Sequence, residues 1–305
     1  MSDARLAVAI EPERDEHLVA AVEEAGGRIV GLEEARVLVW IGMPTGFPEL
    51  PDTIEWVALK TAGIEGFVDA GVIDDKRVWT NASGFYAENV AEHALALLLA
   101  GLRQINTSVV RHWDKEPIDT AVRSLHGSTV AIIGAGGIAA SLIPRLNASG
   151  ARVIAVNRSG RPVDGAAVTL PSSQTDEVWA QTDHVVLAAP ATAETQHLIN
   201  ERTLAALPSH AWVVNVARGP LVDQSALVAA LHSGQIAGAA LDVTDPEPPA
   251  HDDPLWSLPN VIITPHIANP SSGLTRTMAP FLAENVRRYL AGDEMLSVVT
   301  PGSAY

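Results

Sequence analysis

The stretch Thr129-Val-Ala-Ile-Ile-Gly134-Ala-Gly136-Gly137-Ile138-Ala139 decides the fold. Its first residues are β-branched or small and apolar, which reads as a buried strand. The glycines read as a tight turn, and the Ala- and Leu-rich run beyond them reads as a helix. Gly134 permits the turn, Gly136 lets the backbone approach a pyrophosphate, and the small Ala139 lets helix pack on strand. The helix start, with Gly137 and Ile138 in its first turn, offers free N–H groups and a partial positive charge to phosphate. A ligand-free strand–helix turn would use the same glycines. The correct order of strand, turn, helix and second strand is what favours a dinucleotide site.

Outward from this stretch, short β-branched runs alternate with longer helical ones, the pattern of parallel α/β sheets. Strands are predicted at 130–133, 152–156, 184–188, 212–216, 238–241 and 261–263, with helices at 138–149, 201–206 and 224–233. Pro144 falls inside the first of these helices and predicts a kink. Upstream, strands are predicted at 6–10, 37–41 and 56–59, with a helix at 16–25. The run 86–102 is apolar on most helical faces and belongs between layers or domains. A closing amphipathic helix, 276–290, stops before Gly292. The class is α/β, two doubly wound parallel-sheet domains, and no flexible linker divides them.

Composition narrows the function. The 305 residues include 20 Lys+Arg against 36 Asp+Glu, a formal charge of −16. That balance argues against a nucleic acid or an anionic membrane as partner, because both need basic faces. A small anionic substrate remains compatible, since a local cationic site can hold it. There is no cysteine, which removes disulfides and thiol chemistry and agrees with a reducing, cytoplasmic setting. The N-terminal MSDARLAVAIEPERDEH carries an apolar stretch too short for a secretion signal, and no run is long enough for a membrane helix. No histidine pairing has metal-ligand spacing, and His93 on its apolar helix reads as structural.

The end of the second strand selects the cofactor. An acid there would bond a ribose 2′-hydroxyl, but the chain reads Val156-Asn157-Arg158-Ser159-Gly-Arg161. Asn157 does not repel a 2′-phosphate, Arg158 and Arg161 can pair with it, and Ser159 can donate to it. The alternative is a solvated polar loop. The expectation is NADP(H) in preference to NAD(H).

Three ionisable residues stand at or just beyond late strand ends: Arg218, Glu247 in a loop with prolines at 246, 248, 249 and 254, and His266. Ligands bind at such ends of a parallel sheet. An Arg fork suits a carboxylate and its neighbouring carbonyl, and a protonated imidazole suits a carbonyl oxygen that receives hydride. Glu247 against the ring would favour its charged form. Taken singly, each has a plainer reading: a surface charge, a solvated acid, a hydrogen-bonded structural histidine.

These residues resemble the D-isomer-specific 2-hydroxyacid dehydrogenase family, of the glyoxylate/hydroxypyruvate reductase kind. The similarity runs through Val214-Asn-Val-Ala-Arg218-Gly-Pro-Leu-Val-Asp223, Gly238-Ala-Ala-Leu-Asp242-Val, Pro246-Glu247-Pro248 and Pro254-Leu-Trp-Ser-Leu-Pro-Asn-Val-Ile-Ile-Thr-Pro-His266. Leu125 to Gly134, Val90-Ala-Glu-His93 and Pro190-x-Thr-x-Glu-Thr195 also match, so the likeness covers nearly everything from about Thr61 onward. It implies a 2-oxo acid reductase with Arg218, Glu247 and His266 as its catalytic residues. It also implies that Asp242 faces a nicotinamide carboxamide and that Pro190, Thr195, Val216 and Ala217 line the cofactor site. Ala62 and Gly63 would meet the substrate carboxylate through the loop 61–64, although Glu65 stands where the family more often has Asp. The implied architecture is a Rossmann-type cofactor domain, 101–275, inserted into a flavodoxin-like substrate domain, 1–100 plus 276–305, with two helices as hinge. A homodimer is implied too. The competing reading is a dinucleotide-sensing, corepressor-like interaction protein on the same fold.

Overall fold

The computed structural model describes residues 5–111, 113–270 and 272–299. Its described residues fall into two compact units, one up to Tyr86 together with those from Pro270 on, the other Ala87–Asn269.

In the first unit, β1 (Leu6–Glu11), α1 (Glu16–Glu24), β2 (Gly27–Ile29), β3 (Val37–Trp40), β4 (Trp56–Leu59), α2 (Glu65–Asp69) and β5 (Val78–Thr80) follow in order. The strands form a parallel sheet ordered β2-β1-β3-β4-β5. Its central strands are buried on both faces, which is why they read as continuous apolar runs rather than alternating ones. Asp15 caps α1 by accepting from the amides of His17 at 2.9 Å and Leu18 at 3.2 Å.

The second unit begins with α3 (Ala87–Leu102), α4 (Ile105–Arg111) and α5 (Lys115–Ala121). It continues with β6 (Thr129–Ile133), α6 (Gly137–Ala148), β7 (Arg152–Asn157), β8 (Val168–Pro171) and β9 (His184–Leu187). Then come α7 (Glu201–Ala206), β10 (Trp212–Asn215), α8 (Gln224–Ser233), β11 (Gly238–Leu241) and β12 (Val261–Ile263). The parallel sheet is ordered β12-β11-β10-β9-β6-β7-β8. The chain winds outward one way from β6 through β8 and the other way from β9 through β12. The reversal lies between β6 and β9, where a doubly wound sheet opens a ligand crevice at its C-terminal edge.

The closing helix α9 (Leu274–Ala291) returns to the first unit. Its Met278, Leu282 and Val286 join Leu18 and Val22 of α1 over β1. Thr275 donates to the Asp15 carboxylate at 2.7 Å, which ties its first turn to the α1 cap.

Two differences from the sequence reading have physical causes. The second sheet has seven strands where six were predicted, because β8 is a short edge strand ending in proline, a position only an edge tolerates. β2 and β5 escaped notice for the same reason, being three-residue edges. The helix α6 keeps its full length through Pro144, so the proline does not cost the element. The compact units also divide at Tyr86 and Asn269 rather than near 100 and 275. All of α3 stays with the second unit because Gly101 lies flat on Trp212: a Cβ there would sit 2.4 Å from the indole. Among the described residues no helix is long and apolar enough to cross a membrane.

Candidate active site

The glycine turn is pressed onto the sheet where its strand order reverses. Gly134 has φ +100°, and a Cβ on it would lie 2.3 Å from the amide nitrogen of Ala189 at the exit of β9. The amides of Gly134 and Ala135 donate to Val156 O at 2.9 and 2.8 Å, fixing the turn against β7. Gly136 and Gly137 are exposed, Ile138 is half-buried, and Ala139 is fully buried beneath them. A Cβ on Gly136 would meet no atom within 4 Å. The turn therefore leaves room above the α6 N-terminus, and the residues present fit a pyrophosphate.

At the end of β7 the side chains do more local work than the sequence suggested. Asn157 Oδ1 accepts from the amides of Gly160 at 2.7 Å and Ser159 at 3.1 Å, while Nδ2 donates to Arg161 O at 2.8 Å. Arg161 Nε donates to Ser159 Oγ at 3.3 Å. Asn157 and Ser159 thus shape a turn that displays Arg158 and Arg161, both exposed. A hydrogen bond from Thr192 and one from its own backbone, with the Arg158 charge adding to them, hold the Glu194 carboxyl below the usual range.

The loops after β9 and β10 are stitched together. Thr195 Oγ1 donates to Pro190 O at 2.6 Å and accepts from Thr192 N at 2.8 Å. The amides of His197 and Ile199 donate to Pro220 O at 2.8 Å and Leu221 O at 3.0 Å. Asn215, wholly buried, accepts from Ala217 N at 3.0 Å and donates to Arg218 O at 2.9 Å. These bonds fix the path of Val216 and Ala217, both buried, and bring Arg218 out half-buried with Nη1 on Ala217 O at 2.7 Å. The next residue, Gly219, packs so closely that a Cβ would lie 1.9 Å from Thr244 O. The Arg218 loop therefore rests on the loop that carries Glu247.

His266 and Glu247 meet. His266 Nδ1 lies 2.6 Å from Glu247 Oε1, both side chains being partly exposed. Glu247 takes Nδ1, so Nε2 is the nitrogen left for proton exchange. His266 sits in a left-handed backbone, φ +52°, and its amide lies 2.9 Å from the carbonyls of Asp242 and Thr264. Arg218 is carried by the loop that Gly219 packs against the Glu247 loop, and its Nη1 donates to Ala217 O. Ala62 and Gly63 belong to the other unit, where Asn81 Nδ2 donates to Ala62 O at 2.7 Å and steadies the loop after β4.

Asp242, at the exit of β11, is buried and well supplied with donors. The residue is 2% exposed, and its carboxylate accepts from Thr264 Oγ1 at 2.6 Å and from the amides of Ile267 and Ala268 at 2.9 Å each. Burial alone would raise its carboxyl, but hydrogen bonds from His93, Thr264 and these two amides outweigh it and bring the pKa down to about 2. His93 and Thr264 are the partners that sequence reasoning missed. Their ring and hydroxyl lie 3.0 Å apart although 171 residues separate them in the chain, and no local pattern marks such a pair. Among the described residues no group of three or more acids and histidines is placed to hold a metal.

The arrangement offers an anion cradle at a helix start, two exposed guanidinium groups at the end of β7, and a carboxylate-paired imidazole at the C-terminal edge of one sheet. Comparison with known proteins identifies the family. The family described as D-isomer specific 2-hydroxyacid dehydrogenase, NAD binding domain, matches residues 94–268. An uncharacterized protein of Corynebacterium melassecola is 40% identical over 290 residues, 93% of this chain and 95% of that one. A glyoxylate reductase of Thermococcus onnurineus is 35% identical over 240 residues, 73% of this chain and 72% of its own length. The crystal structure of a D-isomer specific 2-hydroxyacid dehydrogenase from Xanthobacter autotrophicus Py2, in complex with NADPH and MES, superposes with a TM-score of 0.82 at 27% identity. That superposition covers 99% of this chain and 100% of the other.

Proposed function

This chain belongs to the D-isomer-specific 2-hydroxyacid dehydrogenases, and from that premise we propose that it reduces a small 2-oxo acid of the glyoxylate or hydroxypyruvate kind with NADPH. Membership makes it an NAD(P)-dependent oxidoreductase that interconverts 2-oxo and 2-hydroxy acids. The contact that carries the finer reading is His266 Nδ1 to Glu247 Oε1 at 2.6 Å.

The dinucleotide, when bound, supplies or accepts the hydride at its nicotinamide ring. Gly134, Gly136, Gly137 and Ile138 hold the pyrophosphate, with Pro190, Thr195, Val216 and Ala217 lining the rest of the site. Arg158 and Arg161 pair with a 2′-phosphate on a turn that Asn157 and Ser159 shape. Arg218 grips the substrate carboxylate and polarises the neighbouring carbonyl. His266 gives its Nε2 proton to the carbonyl oxygen in reduction and takes it back in oxidation. Glu247 holds Nδ1 and keeps the ring oriented.

Preference for NADP(H) over NAD(H) is supported by the two exposed arginines and the lack of an acid at the end of β7, and by the NADPH bound to the Xanthobacter relative. A substrate domain built from the first unit and a cofactor domain built from the second complete the assignment. Exposed apolar residues on α4 and beyond it support a homodimer, and dependence on a diffusible reduced dinucleotide supports a cytoplasmic setting. The sensor alternative is not favoured, because sensing needs the phosphate cradle but no paired acid and imidazole.

The test is turnover of a panel of short 2-oxo acids with each reduced cofactor. NADPH-dependent reduction is expected to exceed NADH-dependent reduction. His266→Asn should lower kcat by about 10²- to 10⁴-fold while leaving the KM for NADPH nearly unchanged. Tight NADPH binding without turnover on any of these acids would overturn the proposal.

A further inference from the structure

Thr264, Ile267 and Ala268 bracket His266, and all three donate to the Asp242 carboxylate. His93, delivered from α3, lies behind them. Its Nε2 is 3.0 Å from Thr264 Oγ1 and 3.3 Å from Asp242 Oδ1. The Thr264 hydroxyl gives its proton to Asp242, so it accepts from His93, which places a proton on His93 Nε2. His266 meanwhile holds a left-handed backbone, φ +52°. A non-glycine residue stays there only when its surroundings over-determine the turn.

We propose that His93 is a positioning residue: through Thr264 and Asp242 it locks the left-handed turn that aims His266 at Glu247. This rests on the reading of His266 as the proton donor. Helix α3 is a rigid support for the task, with Ala91, Ala94, Leu97 and Leu98 buried around the His93 position. Without the His93 donor, the Thr264 hydroxyl is free to rotate and the buried carboxylate loses one of its partners. A buried charge that is short of a donor destabilises the local arrangement first. The turn would then spend time in other backbone conformations, with the imidazole away from its carboxylate.

The experiment compares His93→Leu and His93→Gln with the wild-type chain. Gln carries an amide nitrogen near the place of Nε2, whereas Leu fills the space with no donor. Residue-resolved hydrogen exchange should show the amides of Ile267 and Ala268 exchanging about tenfold faster in His93→Leu. The β10 amides of Val213 and Val214 should keep the wild-type rate, and His93→Gln should restore the slow exchange. In parallel, kcat for 2-oxo acid reduction should fall about tenfold in His93→Leu, with the KM for NADPH within roughly twofold of wild type. Unchanged exchange at Ile267 and Ala268 overturns the proposal. So does acceleration shared equally by β10, which would make His93 a support of global stability only. A wild-type chain that reduces no 2-oxo acid sinks the reading of His266 as donor, while the exchange pattern still decides whether His93 locks the turn.

Discussion

His184, at the start of β9, shows how much one buried side chain sets. It is 1% exposed, and its Nδ1 accepts from Trp212 N at 3.3 Å. Burial pushes its imidazole down to about 4, opposed by Asp183 and aided by His210. In the unfolded chain it titrates near the ordinary 6.5. Between those values the unfolded state binds more protons, so this contribution is intact above about pH 6.5 and is lost as pH falls toward 4. The loss amounts to roughly 3 kcal/mol. His184→Asn keeps an acceptor for Trp212 but no longer titrates there, so calorimetry should show a shallower fall in its Tm over that range. At the opposite edge, Arg158 tests the cofactor assignment. Arg158→Ala should raise the KM for NADPH about tenfold, as expected for a lost charge-assisted bond, and leave the KM for NADH nearly unchanged. Equal effects on both cofactors would remove Arg158 from the 2′-phosphate site. The positive charge of Arg158 was legible in the sequence. The Asn157 turn that displays it was not, because an Asx turn and a ligand contact draw on the same residue types.

Among the elements, the central strands and long helices declared themselves, while the edges did not. Residues buried on both faces must be apolar throughout, so β6, β9 and β10 stand out from any polar surroundings. Edge strands such as β8 meet no such demand. Contacts between loops are equally silent in the sequence. Gly219 is required by the Thr244 carbonyl that its backbone meets, although in the chain it looks like any turn glycine before a proline. Gly219→Ala forces the loops after β10 and β11 apart. It should destabilise the protein by about 1–3 kcal/mol in denaturant unfolding. It should also lower kcat/KM, since the displaced loops carry Arg218 and Glu247.

At the scale of the whole molecule, exposed apolar side chains gather on one short segment. Val109 is 72% exposed, Val110 77% and Trp113 94%, all within one short segment of the second unit. Monomers rarely display such residues together. Val110→Asp combined with Trp113→Ser should turn a homodimer into a monomer in analytical ultracentrifugation, with the thermal transition otherwise retained. A wild-type chain that sediments as a monomer at micromolar concentration would remove the homodimer from the proposed function.

The sequence by itself determined the parallel α/β class, the glycine turn that starts a helix, and the identities of Arg218, Glu247 and His266 beyond late strand ends. Each of these is written in a run of neighbouring residues, because a strand, a turn and a helix start are closed by interactions within a few positions. Only the tertiary structure decided which donors surround the Asp242 carboxylate, that Asn157 builds a turn, and that His93 and Thr264 meet beside the segment that carries His266. Those facts depend on which distant segments the packed core forces together, and the burial that drives such packing is non-directional and leaves no local signature.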